Sequence, residues 1–283
     1  MAVFDRIVIV DWSAQATPKR GPDSIWTYAL GDAEAVNHPT RSATWSALLE
    51  SLRAGGRTLV GFDFPLGYPA AFAARAQFAG AAPWAATWEH LAASITDDDR
   101  NRNNRWDVAA DINRRLGELR FWGVPPRWAS PHLTVRKPSA LSEFRIVERR
   151  LKQQGRHPFS VWQLLGAGSF GSQALTGIPV VHRLRNHPDL RTRARVWPFE
   201  TGLTIDPTAH QAEAIVIAEV WPSAVSFDHI DHPIKDARQV IALARHYAAL
   251  DAGGDLAPLF RPSLDAAAAR EVVDEEGWIL GVP

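Results

Sequence analysis

The 283-residue chain contains no cysteine. This absence excludes disulfide bonds, a thiolate nucleophile, iron–sulfur clusters and cysteine-type zinc sites. Long apolar runs are also missing, because acidic residues interrupt every run well before the roughly 18 residues that a membrane span needs. At the N-terminus, Asp5 and Asp11 flank a short apolar run, which does not match a secretion signal. We therefore expect a cytoplasmic protein that does not enter the membrane.

An excess of either charge is missing as well, since 31 basic residues balance 31 acidic ones. The composition, with 46% hydrophobic and 22% charged residues, is typical of a soluble globular protein. It argues against a disordered chain, a collagen and a coiled coil. The length suits a single domain over residues 1–283 that carries an insertion.

The balanced total charge hides an uneven distribution along the chain. Residues 100–156 hold 14 Arg or Lys against five acids, whereas residues 251–276 hold seven acids against two Arg. Such a basic region can steer a polyanion while the whole chain stays neutral. The alternative is a solvated arginine-rich surface. If a polyanion binds here, the candidate contacts are Arg102, Arg105, Arg114 and Arg136.

Hydrophobic periodicity predicts strands first, then helices, then strands that alternate with helices. A helix with apolar residues from Trp45 to Leu52 has Thr40 or Ser42 as its N-cap. Two helical stripes, one starting at Val108 and one at Leu141, fall within a basic, tryptophan-rich insertion at residues 83–160. The expected fold class is α/β, with a mixed sheet flanked by helices. Strands are predicted at residues 6–11, 24–30, 35–37, 58–64, 196–200 and 214–221, and later helices around Val240 and from Ser263 to about Val273.

Three of these strands carry an acid near the carboxyl end, namely Asp11, Asp63 and Glu219. Alternation along a strand places each acid on the same face as apolar residues. An ionised carboxylate there costs several kcal/mol unless it is paired or bound to a cation. Hard divalent ions with oxygen ligands, Mg²⁺ or Mn²⁺, suit such a site, and they support hydrolysis of phosphodiesters. Alternatively, each acid forms a turn, caps a helix or pairs with an arginine.

Five short segments, together with the order β-β-β-α-β, form a recognisable pattern. The segments are Ile9-Val10-Asp11-Trp12-Ser13, Gly61-Phe62-Asp63-Phe64-Pro65-Leu66-Gly67, Ala218-Glu219-Val220-Trp221-Pro222-Ser223, Leu264-Asp265-Ala266-Ala267-Ala268-Ala269 and Glu276-Gly277-Trp278-Ile279-Leu280. This pattern resembles the predicted ribonuclease-H-like nuclease family, of the domain-of-unknown-function type. The chain departs from that family in its long insertion and in Trp221, where the family commonly has Tyr.

The resemblance implies a mixed sheet in which carboxylates from the first strand, the fourth strand and a late helix meet around Mg²⁺ or Mn²⁺. At matching positions these are Asp11, Asp63 and Asp265, with Glu219 as a fourth candidate that acts as ligand or base. On the residues alone, Asp265 equally suits the first turn of a helix, where a carboxylate favours the helix dipole.

Other motifs are interpreted more simply. Residues 166–171 fit the pattern G-x-G-x-x-G, but no strand precedes them and Pro179 follows closely, so we predict a loop beside the cleft. Ser172 and Gln173, next to this loop, are candidates for contact with phosphate, and Ser13 is another.

Asp236 is interpreted as a cap of the helix that contains Val240. Trp106, Trp122 and Trp128 are candidates for stacking with bases, although packing in the core explains them equally well.

The sequence thus predicts a ribonuclease-H-like protein that hydrolyses nucleic acid with Mg²⁺ or Mn²⁺. Two alternatives stay open. One is a protein of the same fold that binds a nucleotide or a phosphorylated metabolite, with a link to molybdopterin cofactor metabolism. The other is a nucleic-acid binder without catalysis that uses the basic insertion alone.

Overall fold

The computed structural model describes residues 2–139, 141, 143–166 and 168–283. Its main feature is a six-stranded mixed sheet with helices on both faces, which confirms the expected α/β class. The strands are β1 (Arg6–Asp11), β2 (Ile25–Ala29), β3 (Val36–His38), β4 (Arg57–Phe62), β5 (Ala194–Val196) and β6 (Ala214–Glu219), in the order β3-β2-β1-β4-β6-β5.

Nine α-helices are found in the described ranges. They are α1 (Arg41–Leu52), α2 (Phe72–Arg75), α3 (Pro83–Ser94), α4 (Arg105–Leu116), α5 (Ile146–Gln153), α6 (Phe170–Asn186), α7 (Lys235–Gly253), α8 (Leu256–Leu259) and α9 (Ala266–Glu271). Not one described helix is both long enough and apolar enough to cross a bilayer.

The direction of the strands decides which residues meet at one edge. β1 pairs antiparallel with β2 and parallel with β4, and β6 is parallel to both β4 and β5. The carboxyl ends of β1, β4, β5 and β6 therefore lie along the same edge of the sheet. In open sheets of this kind, that edge is where ligands commonly bind.

The two faces of the sheet are buried against different helices. Ile7 and Ile9 pack in the cluster that includes residues of α7, while Val8 and Val10 pack in the cluster that includes residues of α1, α3 and α6. This is the alternation that the sequence predicts for β1, because successive side chains of a strand point to opposite faces. The central strands are apolar on both sides for that reason.

The predicted start is correct for α1 but not for two later helices. Thr40 is the N-cap of α1, and its Oγ1 accepts a hydrogen bond from the Ala43 N–H at 3.1 Å. The last predicted helix begins two residues later than expected, because Asp265 and not Ser263 caps α9, and a π-helical turn at Val272–Glu276 follows it directly. The helix expected from Leu141 begins at Ile146, and two residues between Ser139 and Glu143 lie outside the described part.

One long helix is absent from the predictions. α6 begins at Phe170, inside the segment interpreted as a glycine-rich loop, and continues past Pro179. α3, from the predicted insertion, packs against α6. Trp88 and Leu91 of α3 belong to the same buried cluster as Val10, so this part of the insertion is built into the core.

Gly67, the last residue of the motif that contains Asp63, lies against the segment that precedes Trp278. A Cβ at Gly67 would fall 2.5 Å from the Glu276 carbonyl oxygen and closer still to that of Glu275. Both obstacles are backbone atoms that cannot rotate away. Gly67 therefore packs two of the family-like segments together.

We expect Gly67→Ala to lower the free energy of unfolding by about 1–3 kcal/mol, the usual cost of overpacking. Denaturant unfolding of the variant measures this loss. Gly253→Ala is the matched control, because its Cβ would meet only the Asp255 side chain, so its stability should stay within about 0.5 kcal/mol of wild type. Equal stability of the two variants would show that a Cβ at Gly67 fits beside the carbonyl groups of Glu275 and Glu276.

Candidate functional site

Asp11 and Asp63 are neighbours at the carboxyl edge of the sheet. The β1–β4 register pairs Val10 with Phe62, so the next residue on each strand is an aspartate. The Trp12 backbone N–H donates to Asp63 Oδ1 at 2.7 Å, which ties the end of β1 to that of β4. Ile9 and Gly61 precede the two aspartates on the face that α7 covers. Alternation therefore directs both carboxylates to that same face, as predicted.

A third acid joins them from α7. This helix follows β6, begins at the carboxyl edge and packs against β1 and β2. Asp236 lies in its first turn and accepts a hydrogen bond from the Asp23 N–H at 2.7 Å. The N-cap of α7 is Ile234, so the interpretation of Asp236 as a cap was wrong. Asp11, Asp63 and Asp236 all line one cavity of about 560 Å³.

The electrostatics of the three acids follow from their burial. Burial raises the pKa of Asp11 well above its ordinary value, and the charges of Asp63 and Asp236 raise it further. Burial also raises the pKa of Asp63 to about 7, although the hydrogen bond from Trp12 lowers it in part. The pKa of Asp236 is raised, first by burial. In the described ranges, neither Asp11 nor Asp63 forms an ion pair.

The raised pKa values have a consequence for stability. A carboxyl whose pKa rises from 3.8 to about 7 on folding, as for Asp63, binds its proton more tightly in the folded state. Stability is therefore unaffected below pH 4, falls between pH 4 and 7, and stays reduced above pH 7, on the order of a few kcal/mol. A cation bound between the carboxylates would remove this loss.

Glu219 lies near these acids but has a different environment. It shares its strand face with Ile215 and Ile217, which pack in the cluster on the other side of the sheet from α7. Arg145 Nη2 donates to Glu219 Oε1 at 2.6 Å and Arg145 Nη1 donates to Oε2 at 2.8 Å. The alternative raised for an acid at a strand end, pairing with an arginine, therefore describes Glu219. As placed, its carboxylate is engaged and is not a free ligand or base.

Asp265 is not brought to the cavity. It is the exposed N-cap of α9, and its Oδ1 accepts hydrogen bonds from the N–H groups of Ala267 and Ala268 at 2.9 and 2.8 Å. The neighbouring Ser263 carbonyl accepts from Arg150 of α5. The simple helix-cap interpretation describes Asp265, and the third acid beside Asp11 and Asp63 is Asp236 instead.

Four of the seven predicted substrate contacts line the cavity: Ser13, Arg105, Ser172 and Gln173. Gln173 Nε2 donates to the Trp12 carbonyl at 2.6 Å, and Arg105 Nε donates to Ser172 Oγ at 3.0 Å. These contacts link α4 and the first turn of α6 to the end of β1. Arg105 is buried, and this burial lowers its pKa to about 10.

The other three predicted contacts lie outside the cavity lining. Arg102 pairs with Asp98 at 2.7 Å, Arg114 pairs with Asp111, and Arg136 is exposed. Of the tryptophans proposed for stacking, Trp106 is buried beneath the Arg105 guanidinium. Trp122 is half-buried, and Trp128 is exposed.

The glycine-rich segment is at the cavity, as predicted, and Gly166, Gly168 and Ser169 form part of its wall. Ala167 lies outside the described residues. The segment leads directly into α6, which explains why Ser172 and Gln173 reach the cavity from a helix and not from a loop.

Comparison with family models, with curated proteins and with solved structures gave no match to this chain. Across the described ranges, no three histidine, aspartate or glutamate side chains are grouped closely enough to hold a metal ion among themselves. We therefore describe the site by its own residues, which are two adjacent half-buried aspartates, a third aspartate on α7 and one buried arginine.

Proposed function

We propose that the protein is a divalent-metal-dependent phosphodiesterase with a ribonuclease-H-like fold. The order β3-β2-β1-β4-β6, with β2 antiparallel and β1, β4 and β6 parallel, supports this fold assignment. The family-like segments at Asp11 and Asp63 meet at one edge, as that fold requires. One observation carries the functional proposal: Asp11 and Asp63 lie side by side, half-buried, in one cavity, with raised pKa values.

The donor chemistry of the site fits a hard cation. Mg²⁺ commonly binds through one or two carboxylates and completes its coordination with water and substrate phosphate. Asp11 and Asp63 would supply those carboxylates, so three grouped acidic side chains are not required. Asp11 has no hydrogen-bond donor to its carboxylate among the described residues, and the Asp63 carboxylate accepts hydrogen bonds from backbone N–H groups only, the one from Trp12 at 2.7 Å. Bound there, the ion would offset the charge of the phosphodiester and lower the pKa of the attacking water.

The remaining residues have roles that follow from their positions. Arg105, the buried cation of the cavity, would bind a phosphate oxygen and fix the orientation of the ester. Gln173 holds the Trp12 carbonyl, which keeps Asp11 at the cavity floor. Asp236, whose pKa is raised by burial, would accept the proton of the attacking water.

The test is hydrolysis of bis(p-nitrophenyl) phosphate and of labelled DNA and RNA oligonucleotides at pH 8 with Mn²⁺ or Mg²⁺. We expect cleavage that EDTA abolishes and that Asp11→Asn reduces on the order of 100-fold, since Asp11 would contact the ion directly. Asp32→Asn is the matched control, because Asp32 is exposed and outside the cavity lining. Cleavage that persists unchanged in Asp11→Asn would refute the proposal.

A further inference from the structure

The cavity at the carboxyl edge is mixed in character. Asp11, Asp63 and Asp236 lie in its wall together with Arg105. The rest of the wall contains large apolar side chains, namely Phe159, Leu165, Phe170 and Trp221. A ligand that fills this space must therefore combine an anionic group with an apolar body.

Arg105 is the buried cation in this wall. Its Nε donates to Ser172 Oγ at 3.0 Å and its Nη1 donates to Asn103 Oδ1 at 2.8 Å, while its guanidinium lies 4.0 Å from the centroid of the Trp106 ring. All of these partners are neutral. In the described part of the chain, Arg105 forms no salt bridge with an acidic residue, which is unusual for a buried guanidinium. An anionic ligand in the cavity would provide that missing charge.

The apolar part of the wall is exposed. Phe159 and Leu165 keep 43% and 47% of their surface accessible, although large apolar side chains are normally buried. The Phe159 ring lies against Gly168, where any Cβ would overlap the ring, and is packed edge-on to Phe170 at 5.9 Å. The ring is thus held in place beside the cavity, in a position to stack on a flat ligand group.

Ion pairs neutralise part of the basic region. Arg102, Arg114, Arg115 and Arg120 each pair with a nearby acidic side chain, whereas Arg136 is exposed and forms no ion pair in the described part of the chain. Arg105 is buried instead of forming part of an open surface. A nucleic-acid duplex requires several cations that are free to replace counterions along its backbone. The pairing of these arginines reduces the number of cations that are free for such a track.

From these observations we infer that the site takes a small phosphoester with an aromatic ring, of the size of one nucleotide, and not a duplex. The phosphate would bind between Arg105 and an ion held by Asp11 and Asp63, and the ring would stack on Phe159. The volume of about 560 Å³ is in the range of small-molecule sites, roughly 300–1,000 Å³. This inference rests on the proposed function for the position of the phosphate.

Calorimetric titration with thymidine 5′-monophosphate at pH 8 with Mn²⁺ tests the inference, with inorganic phosphate and a 20-base-pair DNA duplex as the comparison ligands. We expect the nucleotide to bind about tenfold more tightly than phosphate, the order of one stacked base. Phe159→Ala should remove this advantage and leave phosphate binding unchanged. Arg105→Gln should weaken both small ligands about tenfold. Arg136→Gln, on the exposed basic surface, is the control and should change neither.

The inference is overturned if the nucleotide binds no more tightly than phosphate. It is also overturned if the duplex binds most tightly with steep salt dependence, or if Phe159→Ala has no effect. The titration measures binding alone, which separates it from the proposed function. Tight nucleotide binding without any hydrolysis would refute only the phosphodiesterase activity, and cleavage of duplexes without nucleotide preference would refute only the inference.

Discussion

Replacing Arg145 by methionine is expected to lower the free energy of unfolding by about 3–5 kcal/mol, one of the two largest effects that the structure predicts. Arg145 is fully buried, and its guanidinium hydrogen-bonds the carboxylates of Glu148 and Glu219. Its Nη1 also donates to the Glu276 carbonyl at 2.8 Å. Burial would lower its pKa, but the two glutamates raise it more, so Arg145 stays charged.

The expected loss arises from the partners that remain. Without Arg145, Glu148 and Glu219 are two buried carboxylates with no cation between them, and the pKa of Glu219 is already raised by burial. Thermal unfolding should show a decrease of about 10 °C in Tm. Adding Glu148→Gln and Glu219→Gln to Arg145→Met should restore a large part of the loss, because the uncompensated charges disappear with them.

Arg149→Met is the matched control, since Arg149 lies on the same helix, is exposed and donates only to the Phe144 carbonyl. Its stability should stay within about 0.5 kcal/mol of wild type. If Arg145→Met is no more destabilised than Arg149→Met, the ion pairs of Arg145 with Glu148 and Glu219 do not stabilise the fold.

The second large effect concerns the third acid of the site. We expect Asp236→Asn to lower kcat/KM for a phosphodiester by about 100-fold or more, the usual cost of losing a general base. Asparagine keeps the oxygen that accepts the Asp23 N–H, so the loss reports the missing charge and not a broken contact. Asp265→Asn should change kcat/KM less than twofold, because asparagine is an equally good N-cap.

These two variants decide between two assignments. The family resemblance implies Asp265 as the third acid, whereas the fold brings Asp236 to the cavity. A large loss of kcat/KM in Asp265→Asn, with full activity in Asp236→Asn, would show that Asp265 is the third acid. Circular dichroism spectra of both variants at equal concentration would exclude unfolding as the cause of any loss.

Local sequence signals predict much of the sheet and the central pair of acids. Arg6–Asp11 is an apolar run rich in Val and Ile that ends in an acid, and the observed β1 has these same bounds. The equivalent run ends at Phe62 with Asp63 directly after it. Both strands are buried on two faces and run parallel to each other. Once they pair, the acids at their carboxyl ends are neighbours, and no other tertiary contact is needed to bring them together.

Longer-range placement accounts for the errors. Asp236 looks like a helix cap in the sequence, and only the packing of α7 on β1 brings it to the cavity. Its position was nevertheless predictable, since a helix that follows a parallel strand begins at the carboxyl edge. By Asp251, near its end, α7 has reached the amino end of β1, where that carboxylate accepts the N–H groups of Val3 and Phe4. Asp265, further along the chain, caps α9 and does not line the cavity.

The role of Glu219 illustrates a second limit of sequence analysis. Glu219 lies near the carboxyl end of a strand, as Asp11 and Asp63 do, and the sequence therefore makes it an equal candidate for the metal site. Its partner Arg145, however, lies 74 residues away along the chain. Nothing local to β6 indicates that pairing. Likewise, Pro179 and the glycines at 166–171 argue against a helix, yet α6 forms because its buried face packs between α3 and the sheet. Tertiary packing outweighs local propensity in both cases.

Thermal unfolding with and without Mn²⁺ tests most directly whether a cation binds between Asp11 and Asp63. At pH 8 and about 100 times the Kd, Mn²⁺ should raise the Tm of the wild-type protein by about 5–10 °C. At pH 5 the rise should largely disappear, because Asp63, with its pKa of about 7, is then protonated. Asp11→Asn and Asp63→Asn should abolish the rise at pH 8, and Asp265→Asn should keep it. An unchanged Tm for the wild type at pH 8, or an equal rise in all variants, would contradict a metal site between these aspartates.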